Sequence, residues 1–179
     1  VYPASNLAVT AGFTYSDTKY KNDLVGKSTG TPLANELFQL PGSNLSNAPK
    51  YVVTGSVAWT PDIGSSGLSG LFYVDTRMTS DYNTGSDLLP EKVQDGFAVV
   101  NARIGLRGAE QKWAVELWAQ NLFNKNYDQV AFNTPLQASG TGSLAHQKEF
   151  GSATSFSSQL FSAFLSEPRT FGVTLRGKF

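Results

Sequence analysis

Hydrophobic and polar residues alternate with a period of two along six stretches of this chain. Between residues 7 and 15 the odd positions carry Leu7, Val9, Ala11, Phe13 and Tyr15, while Ala8, Thr10, Gly12 and Thr14 fill the even ones. Such alternation predicts a strand with one oily and one wet side. The pattern returns at 51–59, with Tyr51, Val53, Val57 and Trp59 opposite Thr54, Ser56 and Ala58, and at 68–79, with Phe72, Val74 and Met78 opposite Tyr73, Asp75 and Arg77. A fourth strand is predicted over 97–107, where Val100, Ala102, Ile104 and Leu106 oppose Asn101, Arg103 and Arg107. In the fifth, Trp113, Val115, Leu117 and Ala119 face away from Glu116, Trp118 and Gln120. The last eleven residues separate Phe171, Val173, Leu175 and Phe179 from Thr170, Thr174, Arg176 and Lys178.

The connections alternate long, short, long, short, long. This predicts three loops on one side of an antiparallel sheet and two tight turns, at 61–67 and 108–111, on the other. Within the first loop, Thr31-Pro32 followed by Leu33, Leu37, Phe38 and Leu40 reads as a capped helical turn with Pro at its first position. Residues 80–95 read as a polar loop. In the last loop Phe156, Leu160, Phe161, Phe164 and Leu165 recur at helical spacing and predict an amphipathic turn.

Charge keeps to the wet parity. Asp75, Arg77, Arg103, Arg107, Glu116, Arg176 and Lys178 all oppose the apolar set. Large rings mark both ends of the oily face, with Trp59, Trp113 and Phe179 near the tight turns and Tyr15, Tyr51 and Tyr127 near the long loops. Aromatic belts around an aliphatic band are what the two interfaces of a bilayer select. In that setting a one-residue slip placing Arg103 toward lipid would cost roughly 2–4 kcal/mol at the midplane, which fixes the register. The predicted fold is all-β, an antiparallel up-and-down transmembrane segment of an incomplete barrel. A soluble β-sandwich that binds a ligand or carbohydrate is the alternative, because one buried sheet face demands the same alternation.

Composition narrows the function. Fourteen basic and fourteen acidic residues cancel, so no basic excess points to nucleic acid. No run of about 18 apolar residues offers a transmembrane helix, and a mean hydropathy of −0.21 suits strands that expose apolar side chains on one face only. The chain lacks Cys, and its single His, His146, lies in a Gly/Ser/Thr-rich stretch that reads as a solvated loop. With no His/Cys cluster for zinc and no nucleophile motif, neither an enzyme nor a cofactor is expected, and Ser152 to Ser158 read as loop filler. Val1 stands where a Met or signal peptide would, so a processed chain or fragment is expected.

Several motifs resemble a known family. The final strand with its terminal Phe179 resembles the closing strand of bacterial outer-membrane barrels, the signal read by the barrel-assembly machinery, although Gly177 stands where those proteins usually carry an apolar residue. Trp118-Ala-Gln-Asn-Leu-Phe-Asn-Lys-Asn-Tyr127 is similar to the penultimate strand of TonB-dependent outer-membrane receptors. Leu45-Ser-Asn-Ala-Pro-Lys-Tyr51 and Phe97-Ala-Val-Val-Asn-Ala-Arg-Ile-Gly105 resemble earlier strands of that barrel. Together these span about residues 45 to 179.

The resemblance implies the C-terminal part of a receptor barrel in the outer membrane of a Gram-negative bacterium, with the plug and earlier strands outside this sequence, since such barrels close about 22 strands. It implies outer-membrane lipid as surroundings, import of a scarce nutrient (a ferric siderophore, cobalamin or a glycan), and energy from the TonB complex acting through the plug. Candidate ligand contacts are Tyr73, Arg77 and Trp118 on the wet face and Phe156, Phe161 and Phe164 in the last loop. Candidate interface and assembly residues are Tyr15, Tyr51, Trp59, Trp113, Tyr127 and Phe179.

Overall fold

The computed structural model describes residues 1–25, 33–136, 142–151 and 159–178. Its six long strands are β1 (Leu7–Tyr15), β2 (Tyr51–Trp59), β4 (Leu68–Thr79), β7 (Phe97–Arg107), β8 (Trp113–Gln120) and β11 (Thr170–Gly177). They lie side by side in chain order, every pair antiparallel, and the short β3 (Asp62–Ile63) adds a rung beside β4. This is an all-β, up-and-down sheet that does not close: β1 and β11 are its two edges. Val1 meets the outer edge of β1 at one point, exchanging hydrogen bonds of 2.9 Å with Val9.

The register carries each apolar set onto the next. Leu7 pairs with Trp59, Trp59 with Phe72, Phe72 with Ile104, Ile104 with Leu117 and Leu117 with Val173. The resulting oily face has no covering layer among the described residues: Val115, Leu117, Val173 and Leu175 are 39, 50, 59 and 73% exposed. A sandwich would bury these side chains against a second sheet. Thr76 shares this face, and its hydroxyl donates to the Val99 carbonyl at 3.2 Å, so the polar group is satisfied within the sheet.

Most of the buried apolar residues sit elsewhere. Leu40, Leu88, Leu89, Phe97 and Ala131 are buried where the three long connections meet. Two small hairpins build this cap: β5 (Tyr82–Asn83) with β6 (Val93–Gln94), and β9 (Asp128–Asn133) with β10 (Phe161–Leu165). The one α-helix among the described residues, α1 (Leu144–Phe150), follows the Ser143 N-cap, whose hydroxyl accepts from the His146 amide.

Three expectations about the connections are corrected. Phe161, Phe164 and Leu165 lie on strand β10, not a helical turn, because backbone pairing with β9 satisfies groups that a five-residue helix would leave open. Residues 80–95 are not a bare polar loop but hold β5, β6 and a 3-10 turn at Pro90–Lys92 around buried Leu88 and Leu89. His146 is buried on α1 in a three-ring cluster, 5.7 Å from Phe38 and 4.5 Å from Phe150 between centroids, with the two phenyl rings 5.4 Å from each other. The helical turn expected near Leu37 is a 3-10 turn, Asn35–Leu37. Thr31, Pro32, Ser152 to Ser158 (with Phe156) and Phe179 lie outside the described residues.

Candidate functional site

The polar face of the sheet is built from cross-strand rows. In one row Ala58, Tyr73, Arg103, Trp118 and Gly172 follow one another from β2 to β11. Gly172 leaves room for the indole: a Cβ there would stand 2.5 Å from Cζ2 of Trp118, so the ring lies across the bare backbone of β11. Small residues thus flank an aromatic–guanidinium–aromatic run. They leave a cleft of about 190 Å³ lined by Tyr73, Asp75, Asn101, Arg103, Trp118 and Gln120.

The neighbouring row centres on Glu116, whose side chain is completely buried. It stands opposite Gly105, where a Cβ would come within 2.9 Å of the glutamate Cγ and 2.7 Å of the Val115 carbonyl. With no side chain at 105, the carboxylate lies flat between Arg103 and Arg107. Oε2 accepts from Arg103 at 3.3 Å and Oε1 from Arg107 at 3.2 Å, while the Arg176 guanidinium lies 3.9 Å from Oε1. Buried Ala114 separates Arg107 from Arg176 in their shared row, and its small side chain lets both lean toward Glu116.

A second network ties the sheet to its loops. The Asn101 amide donates to Asp75 Oδ2 at 2.8 Å, and its oxygen accepts from the Asn121 backbone at 3.0 Å. Asn121 is buried at a φ of 49°. Its own side chain donates to the carbonyls of Lys125 (2.9 Å) and Glu167 (3.0 Å) and accepts from the Lys125 amide at 2.7 Å. The chain's turn out of β8 and its return into β11 are therefore pinned by one side chain. Asn121 stands within the Trp118–Tyr127 motif, but its residue type alone does not show that its side chain joins the two ends of the connection.

In the cap, Lys92 and Asp87 form a buried ion pair, with Nζ 2.6 and 2.8 Å from the two carboxylate oxygens. Asn133 Nδ2 donates to the same carboxylate at 3.3 Å, and Lys92 Nζ stands 5.5 Å from the centre of the Phe161 ring. Desolvation raises the Tyr82 hydroxyl above its ordinary pKa of 10.0; Arg77 works against the shift, and Tyr127 and Asp128 add to it.

Of the candidate ligand contacts, the sheet brings Tyr73 and Trp118 together on either side of Arg103. Arg77 is four residues along β4 from Tyr73, pairs with Thr54 and Val99, and is not in the cleft. Phe161 and Phe164 belong to the cap hairpin, half-buried and exposed respectively, with Phe164 tilted against Phe132 at 5.5 Å. Among the ring positions, Tyr15 and Tyr51 pair in register and are exposed, Trp59 stacks on Phe72 at 5.2 Å, and Trp113 pairs with Gly177. Tyr127 differs: it is half-buried and stacks at 4.0 Å on Phe97, a residue of polar-face parity, which draws it inward from the loop-side ring.

An open antiparallel sheet with an exposed oily side, a charged side and loops gathered at one end has the form of a piece of barrel wall. No family model matches the chain, and no curated protein matches it. Among solved structures, it is similar to the ferric yersiniabactin uptake receptor FyuA from Yersinia pestis, with a TM-score of 0.54 and 16% sequence identity. The likeness covers 75% of this chain and 17% of that receptor, so the chain spans about a sixth of the structure it matches. At that identity the similarity is one of fold, a related barrel.

Proposed function

We propose that this chain is the C-terminal part of the barrel of an outer-membrane active-transport receptor. Such a receptor takes up a scarce nutrient, a ferric siderophore, cobalamin or a glycan, with energy supplied by TonB through a plug carried elsewhere in the polypeptide. The observation that carries this reading is the continuous apolar face, exposed across six strands and rimmed by Tyr15, Tyr51, Trp59 and Trp113. In water such a surface is far larger than a soluble monomer leaves open. Against hydrocarbon it is the ordinary outer wall of a barrel. The two unpaired sheet edges support a longer barrel, since a bilayer core leaves no water to satisfy them. In this reading the work is binding and gated passage, with no bond made or broken. Tyr73 and Trp118 line the inner wall, and Arg77, Phe161 and Phe164 serve as ligand contacts nearer the loops.

The absence of native Cys makes the test direct. Spin labels at single cysteines introduced along β8 and β11, reconstituted in lipid, should show oxygen accessibility at 115, 117, 173 and 175. Accessibility to a water-soluble nickel chelate should appear at 174 and 176. Uniform nickel accessibility at both parities would overturn the membrane assignment.

A further inference from the structure

The proposed function leaves one buried titratable group without a part: His146, the only histidine of the chain. It is 9% exposed, and its Nε2 is shielded from solvent with no hydrogen-bond partner among the described residues. Its ring packs against Phe150 on its own helix and against Phe38 of the first connection, and the two phenyl rings meet each other. This three-ring cluster fastens α1 to the first connection. A neutral imidazole suits the place, since Nε2 can stay a bare acceptor while Nδ1 carries the hydrogen. An imidazolium does not. Nε2 would then hold an N–H with nothing to receive it, and a charge taken out of water without a partner is costly. Attraction to the phenyl faces returns only part of that cost. The charged groups on the elements that meet here are Glu36, two residues before Phe38, Glu91 of the middle connection, and Lys148 and Glu149 on α1. None of them reaches Nε2.

From this packing we infer that α1 is a proton-released latch: protonation of His146 breaks the ring cluster, and the helix parts from the first connection. The surroundings of α1 permit such a step. Gly151 ends the helix at a φ of 73° with open space where a side chain would stand, a conformation natural to glycine. A cleft of about 620 Å³ already lies between Phe38, Pro90 and Leu144, so one flank of the helix is not packed against the connections beside it. Only the released ring takes up the second proton freely, as an imidazole in water does near about pH 6.5. The closed form therefore holds above that pH and gives way as pH falls through it. The latch rests on the proposed function only through the sample in which it is measured.

The test uses the complete receptor that carries this segment, in lipid nanodiscs, with spin labels at Asn35→Cys and Leu144→Cys, both exposed, and no other cysteine. A single short distance between the labels is expected at pH 7.5. On going to pH 5.5 the ratio of a longer distance to the short one should rise about tenfold, the effect of one proton bound only by the released form. His146→Phe keeps an aromatic ring that cannot be charged, so it should hold the short distance at both pH values. His146→Gln should likewise lose the pH response. An unchanged distance in the parent, a long distance in His146→Phe at pH 7.5, or a pH response surviving in either variant would each overturn the inference, the last by assigning the response to the carboxylates of Glu36, Glu91 and Glu149. A label placed separately at 117 should report lipid at both pH values. If it does so while the distance stays fixed, the membrane reading stands and the latch falls; if it reports water while the distance lengthens, the reverse holds.

Discussion

Leu117→Arg is the sharpest perturbation of the oily face. Leu117 lies four residues along β8 from Trp113, flanked in register by Ile104 and Val173. At about 3.3 Å per residue and a strand tilt of about 40°, it sits about 10 Å from the turn-side ring, close to the middle of an apolar band about 25 Å tall. An arginine at that depth costs about 2–4 kcal/mol. At 1.4 kcal/mol per decade, this is about a 30- to 700-fold loss in the folding equilibrium. If water bathed this face instead, the price would be small: Leu117 is already 50% exposed, so only about 1 kcal/mol of burial remains to be lost. Equilibrium urea unfolding, in lipid vesicles, of the complete receptor that carries this segment, followed by tryptophan fluorescence, separates the two. Thr10→Arg, on the exposed polar parity of β1, is the control and should change stability by less than about 0.5 kcal/mol. Should Leu117→Arg cost no more than about 1 kcal/mol in lipid, or the control as much, the reasoning about the oily face is refuted.

Asn121→Ala should destabilise by about 2–4 kcal/mol, because its buried side chain gives up three hydrogen bonds, to the Lys125 and Glu167 carbonyls and from the Lys125 amide, each contributing about 0.5–1.5 kcal/mol; hydrogen exchange should speed up first at the start of β11. In the cap, Asp87→Ala should cost about 3–5 kcal/mol by stranding Lys92, whereas Asp87→Leu with Lys92→Met should be close to neutral. Denaturation of both variants tests this, and equal losses would contradict it. Tyr82 gives a pH signature. Its folded pKa is raised, so the unfolded chain releases that proton first, and the contribution present below pH 10 is lost as pH rises through the folded value. Tyr82→Phe should flatten the fall in stability between pH 9 and 11, measured against the parent chain.

The six long strands were legible because a half-exposed sheet imposes its period on sequence. Boundaries such as 51–59 and 68–79 follow directly from where alternation begins and stops. The polar parity could be read as well, including the face shared by Arg103 and Glu116. What could not be read was the pairing geometry on that face. Gly105 shows no pattern of its own, and its meaning appears only once β8 places Glu116 opposite it. The cap was harder still. Phe161, Phe164 and Leu165 fit a helix and a strand equally over five residues, and the choice was made by a partner, β9, about thirty residues earlier in the chain. Tyr127 shows the same limit, since its stack on Phe97 depends on how the chain turns after Asn121.

The three long connections are also joined to one another. The Asn47 amide donates to Asn83 at 2.8 Å, Ala131 to Thr84 at 3.3 Å, and Asp128 to the Gln94 side chain at 2.8 Å. The segment 80–96 is thus the middle member, bonded to both its neighbours. A shift of this middle member would therefore break hydrogen bonds on both of its sides at once, to residue 47 on one and to residues 128 and 131 on the other.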